Sequence, residues 1–446
     1  MEKVYIYHTN DLRSHFQHWP TIQNFLLNRR KNHQEASEFA LFFDIGDFAD
    51  RSHPFIEGTK GTGIREMIEA TYDAITIGNN EGITFTKNEL NAMYENLTVP
   101  VLLNNLKDNG TLPNWASSYK IFSTNNDVRV GVIGTTAMYE TFYALLGWEI
   151  EDPIQVIQQS VSELNSQCDV IVLLSHLGIH MDEQIAELDL GIDVILGGHT
   201  HHILHNGKQV KNTMLAAGGK HGQWIGEIQL EISSDRKLSS IVPRLLDVQN
   251  LPYMPGEDYE LKGEKSLKKP VTIIDNDLEA NWFSTSTLST LIARSMLQHT
   301  NTSIGLFNLG TLLVPLKKGE VTSYHIHQLL PHPINYVTVE VTGSELKAIY
   351  QKCQDQSLQH FPLKGLGFRG TIMGAFHIEG MGVGSDGRTL ITNGNLVRDD
   401  SIYTISTLDV FTFGPFFPEI KEAVKKRYYM PEFMRDVLEK FLTTSR

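Results

Sequence analysis

Five short apolar runs in the first half of the chain each lead into a loop that carries residues able to bind a metal ion. Segments with apolar residues at helical spacing, 19–30 and 64–71, separate the first three of these runs. Alternating strands and helices predict a parallel sheet, and sites in such sheets lie beyond the carboxyl ends of the strands. We therefore expect the loop side chains to converge. They are Asp11, Asp47, Asn79, His176, and His199 with His201.

The segment 193–202, which reads Asp-Val-Ile-Leu-Gly-Gly-His-Thr-His-His, is the most informative of the five. Its apolar residues predict a buried strand, and the Gly-Gly pair predicts a tight loop. His199 and His201 alternate, so in extended backbone their side chains project to the same side. The alternative, a polar loop in which histidines gather by chance, is disfavoured by the other four loops.

Composition limits the possible classes of protein. A length of 446 residues predicts two or three domains. The hydrophobic share of 41% and charged share of 20% are typical of a globular protein. A formal net charge of −14 argues against non-specific nucleic-acid binding. It does not exclude small anionic substrates, because a metal ion supplies local positive charge.

The expected location is the cytoplasm. Cys168 and Cys353 lie far apart in the sequence and support neither a disulfide framework nor a cysteine-based zinc site. The first residues lack the basic start, long apolar run and cleavage site of a signal peptide. No apolar stretch reaches the roughly 18 residues that a membrane span needs.

The remaining pattern predicts how the chain is divided. Trp224–Ile232 alternates apolar and polar residues and predicts an antiparallel strand that closes the first domain. A helix is predicted over Leu278–Gln298, and a second mixed domain follows it. The predicted parts are a first domain at 1–240, a linker or irregular cover at 241–275, and a second domain at 276–446.

Asp, Asn and His together suit one or two divalent ions such as Mn, Fe, Co, Zn or Mg. Two ions roughly 3.5–4 Å apart stabilise both the attacking and the leaving oxygen of a displacement at phosphorus, and they lower the pKa of a shared water. Asp47 is best placed to bridge two ions by its position among the loops. No serine nucleophile elbow, phosphate-binding P-loop or dinucleotide-binding glycine pattern competes with this interpretation.

Five motifs carry a family resemblance: His-Thr-Asn-Asp at 8–11, Gly-Asp at 46–47, Gly-Asn-x-Glu at 78–81, Ser-His-Leu-Gly at 175–178 and Gly-Gly-His-Thr-His at 197–201. With them the first domain resembles the calcineurin-like metallophosphoesterases. Both domains together resemble the 5′-nucleotidase, UDP-sugar hydrolase and 2′,3′-cyclic phosphodiesterase family. The resemblance implies a four-layer α/β fold, a β-sandwich flanked by helices, followed by a smaller α+β domain.

The resemblance also implies ligands for two divalent ions and attack on phosphorus by a metal-activated hydroxide. One ion would be held by Asp11, Asp47 and His201. The other would be held by Asp47, Asn79, His176 and His199.

Several positions depart from the family pattern. Arg13 replaces a histidine ligand of the first ion, and His15 is a possible substitute two residues later. Asn80 replaces the histidine that stabilises charge in the transition state, and Ile83 replaces its aspartate partner. Arg13 and Asn80 are therefore the candidate catalytic residues. Two roles for Arg13 stay open: it binds a phosphate oxygen in place of the first ion, or it pairs with a ligand carboxylate and blocks that ion.

The second domain carries weaker motifs. Asn-Leu-Gly at 308–310 resembles the family's substrate loop, although Leu313 occupies the arginine position, and Leu-Pro-His-Pro-Ile-Asn at 330–335 resembles another. In the family this domain clamps a nucleoside base between two aromatic rings, here Phe368 and one of Phe413, Phe416 or Phe417. The resulting substrate-binding candidates are Asn308, Gly310, Asn335, Phe368 and Phe417.

The predicted function is hydrolysis of a nucleotide-like phosphate ester by a metal-dependent enzyme of the 5′-nucleotidase type. The expected partner is a small nucleotide or sugar-nucleotide, with no nucleic-acid polymer and no membrane. One alternative is a 2′,3′-cyclic nucleotide phosphodiesterase, whose better leaving group needs less help from the missing histidine. Another is a catalytically weakened nucleotide-binding protein on the same scaffold.

Overall fold

Two compact units make up the chain, Met1–Lys262 and Gly263–Arg446. The structure, a computed structural model, describes residues 2–365, 367–386 and 389–444. Each unit has a hydrophobic core of its own.

The first sheet of the first unit has seven strands. Five neighbouring strands run parallel to one another and are joined by crossover connections. The two remaining strands pair in antiparallel fashion at one edge of the sheet. In spatial order the strands are Leu238–Asp247, Trp224–Ile232, Glu2–Thr9, Phe39–Asp44, Ala74–Ile75, Val101–Leu102 and Ala116–Ser117.

The second sheet has six strands, of which the central four are parallel. In spatial order they are Lys208–Val210, Thr213–Ala217, Val194–Gly197, Val170–His176, Arg129–Thr136 and Tyr119–Ser123. A separate two-stranded sheet pairs Leu106–Lys107 with Glu149–Ile150.

The core of the first unit lies between the two large sheets. Val4 and Ile6 alternate along one strand, and Val172 and Leu174 alternate along another, so that all four side chains enter the same cluster. Burying each such side chain contributes about 1.5–3 kcal/mol. The intervening residues face outward and are covered by helices. Tyr7, for example, packs its ring against helix residue Phe25 at 6.4 Å.

The helices lie on both outer faces, which confirms the predicted four-layer fold. Pro153–Leu164 and Ile179–Glu187 cover the second sheet through Ile157 and Ile185, which share a cluster with Leu173. The α-helices and 3₁₀ turns of this unit are Trp19–Glu35, Pro54–Thr59, Thr62–Ile64, Arg65–Thr71, Asn79–Thr84, Lys87–Tyr94, Glu140–Leu145, Pro153–Leu164, Ile179–Glu187 and Val248–Asn250.

The second unit is α+β, as predicted. Its main sheet has five strands, in the order Phe376–Glu379, Gly305–Asn308, Ile402–Leu408, Asn335–Thr342 and Lys426–Phe433. Its smaller strands are Pro270–Ile274 with Gly319–Thr322, and Met381–Val383 with Leu390–Thr392 and Asn395–Leu396. Its helices and turns are Thr287–Thr300, Leu309–Thr311, Ser323–Leu329, Gly343–Cys353, Gln356–Leu358, Val410–Phe413, Pro418–Glu422 and Met434–Thr444.

Two predicted segments differ from the structure. The linker assigned to 241–275 begins inside the strand Leu238–Asp247, which tolerates Pro243 because it lies at the sheet edge. Helix Tyr259–Ser266 and a short strand also fall within this segment. The helix predicted over Leu278–Gln298 starts only at Thr287, because the side chain of Ser286 caps it by accepting a hydrogen bond from the Ser289 N–H.

None of the helices among the described residues is long and apolar enough to cross a membrane.

Asp409 makes the stability of the second unit dependent on pH. It is buried just beyond the strand Ile402–Leu408, and its carboxylate accepts a hydrogen bond from the Asn335 N–H at 3.1 Å. Burial raises the pKa of Asp409 to about 7. The protonated form is therefore favoured in the folded state, and its stabilisation is present below the unfolded pKa and lost as the pH rises through about 7.

We expect Asp409→Asn to remove this loss, so that its urea midpoint exceeds that of the wild type more at pH 8 than at pH 5. The gain in the free energy of unfolding is on the order of 1–3 kcal/mol, since one pKa unit corresponds to about 1.4 kcal/mol. Asp400→Asn, at an exposed position in the same unit, serves as the matched control. Equal advantages at both pH values would contradict the assignment.

Candidate metal centre

The predicted ligands lie at or beyond the carboxyl ends of strands from both large sheets, and three of them, Asp11, Asp47 and His176, form one cluster. Asp11, Asp47 and Asn79 follow strands of the first sheet, whereas His176 ends a strand of the second sheet and His199 follows the next. The ligand atoms of Asp11, Asp47 and His176 all lie within 4.8 Å of one another. These three residues are almost completely buried.

His176 places a nitrogen lone pair beside a carboxylate. Its Nδ1–H donates to the carbonyl of Ile45 at 2.7 Å, which directs Nε2 toward Asp47 Oδ1 at 3.3 Å. This contact is within ion-pair distance but lacks hydrogen-bond geometry. Burial alone would lower the pKa of His176, but the Asp47 carboxylate raises it to about 10. The pair therefore favours a cation, whether a proton or a metal ion.

Three buried ligand atoms have no hydrogen-bond partner among the described residues: Asp11 Oδ1, Asn79 Oδ1 and His176 Nε2. Buried polar atoms are nearly always paired, so three such atoms in neighbouring loops need an explanation. Each can donate a lone pair to a divalent ion. The residues present therefore fit the implied metal.

Asp47 is held by the residues that follow the third strand. Asn80 N–H donates to Asp47 Oδ1 at 2.8 Å. The Glu81 carboxylate accepts from the backbone N–H groups of Asp47 at 3.0 Å and Gly78 at 2.9 Å. Burial and the neighbouring Asp47 raise the pKa of Glu81 to about 7. A Cβ at Gly78 would lie 2.1 Å from Asp47 Oδ1, so only glycine fits there.

Glu81 therefore positions the ligand loop, a role that the sequence analysis did not assign. The Gly-Asn-x-Glu motif was its signal in the sequence.

Asp11 is oriented by the histidine loop. Its Oδ2 accepts from the His199 N–H at 3.0 Å and from Asn10 Nδ2 at 2.9 Å, and its Oδ1 lies 3.2 Å from His201 Nε2. Asp11, Asp47, His199 and His201 all have positive φ, between 49° and 71°. Non-glycine residues in this region cost free energy and concentrate at functional sites.

Arg13 extends into the cluster. Its Nη1 lies 3.2 Å from His201 Nε2, its Nη2 donates to Asn80 Oδ1 at 3.2 Å, and its Nε is 3.6 Å from Asp50 Oδ2. Burial would lower the pKa of Arg13, but the Asp47, Asp50 and Asp11 carboxylates raise it. Because a guanidinium only donates, a hydrogen bond in this contact requires His201 Nε2 as the acceptor, and the same nitrogen lies 3.2 Å from Asp11 Oδ1.

His15, considered from the sequence as a substitute ligand for the first ion, makes its ring contacts outside the cluster. The His15 ring stacks on His221 at 3.7 Å, and its Nδ1 is 3.1 Å from Gln17 Nε2. His15 is therefore a poor replacement for the missing ligand.

Tyr139 is a site residue that sequence reasoning missed. Its hydroxyl lies 3.4 Å from His199 Nε2, and burial raises its pKa. Burial and the nearby His176 lower the pKa of His199 to about 4, which keeps its imidazole neutral and able to act as a ligand. The strand before Tyr139 was predicted, but a tyrosine three residues beyond the end of the strand Arg129–Thr136 gave no metal-ligand signal.

The polar candidates of the second unit are engaged in its own structure. Asn308 is buried and its Nδ2 donates to the Met373 carbonyl at 2.9 Å. Asn335 donates to the Glu432 carbonyl at 2.8 Å. A Cβ at Gly310 would lie 2.0 Å from a backbone carbonyl, so its need for glycine comes from packing.

The two rings predicted for the base clamp, Phe368 and Phe417, are packed against other aromatic rings of the second unit. Phe368 is 4% exposed and stacks on His332 with ring centroids 5.2 Å apart. Phe417 is fully buried and packs edge-on against Phe411. Both rings are buried in the core of the second unit, and their role in a base clamp stays a prediction. Of the three alternatives named for the second ring, Phe413 is 41% exposed.

Comparison with known proteins agrees with this arrangement. The calcineurin-like phosphoesterase family matches residues 4–202, and the 5′-nucleotidase C-terminal domain family matches residues 265–414. A Bacillus subtilis protein named uncharacterized metallophosphoesterase YunD is 39% identical, over 98% of both chains. The 5′-nucleotidase of Bos taurus is 24% identical, over 78% of this chain and 71% of its own.

Solved structures show the same fold. A 5′-nucleotidase candidate from Staphylococcus aureus, in complex with α-ketoglutarate, aligns with a TM-score of 0.73 at 18% identity, covering 100% of this chain and 97% of its own. The NAD nucleotidase of Haemophilus influenzae aligns with a TM-score of 0.65 at 17% identity, covering 99% and 96%. The chain therefore belongs to the calcineurin-like metallophosphoesterases that carry a 5′-nucleotidase C-terminal domain, a family of metal-dependent phosphoester hydrolases.

Proposed function

We propose that this chain hydrolyses a nucleotide-like phosphate ester of the 5′-nucleotidase type at the carboxyl-end cluster of its first unit. Support comes from the buried cluster of Asp11, Asp47 and His176, in which Asp11 Oδ1 and His176 Nε2 make ion-pair contacts but no hydrogen bond among the described residues. The named relatives that are 5′-nucleotidases support the substrate class.

The proposed residues of the principal metal position are Asp47, Asn79, His176 and His199, with Asp11 beside them. A divalent ion bound there would lower the pKa of a bound water and stabilise negative charge on phosphoryl oxygens. Glu81 holds the Asp47 loop, and Asn80 donates its backbone N–H to Asp47.

At the position of the first ion we propose that Arg13 supplies the positive charge. Its Nη1 contacts His201, which the resemblance assigns to that ion, and its Nη2 is held by Asn80. A guanidinium can bind two oxygens of a phosphate at once. Arg13 and Asn80 would then act together as the phosphate-orienting pair. The two-ion prediction remains untested, and metal stoichiometry decides it.

We expect Asp47→Asn to lower metal-dependent phosphate release from nucleoside monophosphates by at least about 10², because charge-stabilising groups of this kind contribute about that much. The assay uses metal-stripped protein reloaded with Mn, Co, Zn or Mg, and its panel includes 2′,3′-cyclic nucleotides and UDP-sugars. Asp235→Asn, in an exposed loop, is the control.

Unchanged turnover in Asp47→Asn would assign the activity to a contaminant. Turnover confined to cyclic nucleotides would favour the phosphodiesterase alternative. Tight nucleotide binding without turnover would favour the weakened-enzyme alternative.

A second prediction concerns Arg13. Wild-type protein is expected to bind about one ion per chain, and Arg13→His, which restores a ligand, about two. Elemental analysis after equilibrium dialysis measures this without any activity assay. Arg398→His makes the same change at an exposed position and should leave the ratio unaltered. Two ions in the wild type would show that Arg13 does not take the place of the first ion.

A further inference from the structure

A cavity of about 580 Å³ is lined by Arg13, which also contacts the metal centre. Its volume is within the range of small-molecule sites. Three segments of the first unit line it: 13–17, 52–53 and 257–260. The first of these segments begins two residues after Asp11, and the second begins five residues after Asp47.

Arg13 connects the cavity to the cluster. It lines the cavity, and its guanidinium also contacts His201 and Asn80. A phosphate held by Arg13 would therefore contact a residue that also lines this space. Phe368 and Phe417, two of the rings predicted for a base clamp, are by contrast buried in the core of the second unit.

The cavity combines an aromatic wall with acidic residues. The rings of Phe16 and Tyr259 lie 4.9 Å apart. Glu257, Asp258 and Glu260 line the same space, and Arg13 is the one lysine or arginine among its described lining residues. Lys262 pairs with Glu257, which leaves Asp258 and Glu260 as the main source of negative potential.

The histidines of the cavity add little positive charge. Burial lowers the pKa of His15, and it lowers the pKa of His53 to about 4. The His53 Nδ1 accepts from the Phe55 N–H, so its Nε2 carries the hydrogen and points to Glu260 at 3.6 Å. The cavity therefore suits groups that donate hydrogen bonds.

We propose that this cavity binds the leaving group of the phosphate ester and selects neutral or cationic leaving groups over those that carry further anionic groups. Amino groups and N–H donors would meet Asp258 and Glu260, and a flat ring would pack on Tyr259. A second phosphate or a carboxylate would be repelled. This inference rests on the proposed function, and it favours nucleoside monophosphates over nucleoside diphosphates and UDP-sugars.

The test compares three phosphate monoesters of similar size, with a quaternary ammonium, a hydroxyl and a carboxylate on the leaving group. We expect kcat/KM to fall in that order at low ionic strength. In the double variant Asp258→Asn, Glu260→Gln the carboxylate-to-hydroxyl ratio of kcat/KM should rise roughly three- to tenfold. The change should shrink at 0.5 M salt, where charges are screened within about 4 Å. Glu264→Gln removes an exposed carboxylate outside the lining and is the matched control.

A second pair of variants locates the leaving group without relying on charge. Tyr259→Ala should raise KM for a nucleoside monophosphate more than Phe413→Ala does. The reverse order would overturn the proposal in favour of a site on the second unit. An unaltered charge preference in the double variant, with hydrolysis intact, would also overturn it. If none of the esters is hydrolysed with any metal, the proposed function itself fails.

Discussion

The buried negative charge at the end of the β-sandwich is the constraint on which the site depends. Asp11 and Asp47 are almost inaccessible to solvent, and isolated carboxylates in such surroundings are costly. The chain meets this cost with backbone donors, with the His176 imidazole and with the Arg13 guanidinium. What these groups leave unsatisfied is a set of lone pairs suited to a cation. Burial raises the free energy of the unneutralised carboxylates, and for the same reason it makes the site selective for a positively charged occupant.

Arg13 stands where the family resemblance implies a histidine ligand of the first ion. A metal ion can exchange with solvent, whereas a guanidinium is fixed by the backbone and cannot lose its proton in a protein. Arg13 contacts Asn80, which departs from the family pattern, and His201, which belongs to it. Arg13 and Asn80 are thus better understood as one substitution than as two separate losses. Asn80 is further tied to Asp50, which extends the arrangement by one more carboxylate.

Much of the first unit could be predicted from the sequence, because strand ends with metal-ligand residues constrain both topology and site. Asp11, Asp47 and His176 converge as expected. The pattern could not show that Glu81 holds the Asp47 loop or that Tyr139 lies against His199, since both depend on contacts between distant loops. In the second unit, the short motifs did not predict that Asn308, Asn335, Phe368 and Phe417 are buried. Phe417 packs against Phe411, and Asn335 donates a hydrogen bond to the Glu432 carbonyl. A sequence motif alone does not show whether a phenylalanine or an asparagine serves packing or substrate binding.

The origin of the ligands has a consequence for the fold as well as for the chemistry. Asp11, Asp47 and Asn79 belong to loops of one sheet, and His176 and His199 to the other. An ion bound by both sets would tie the two halves of the sandwich together at their carboxyl ends, as a crosslink does. Its binding free energy would then add to the resistance of the first unit to unfolding. Metal availability would set how long the unit persists as well as how fast it turns over substrate.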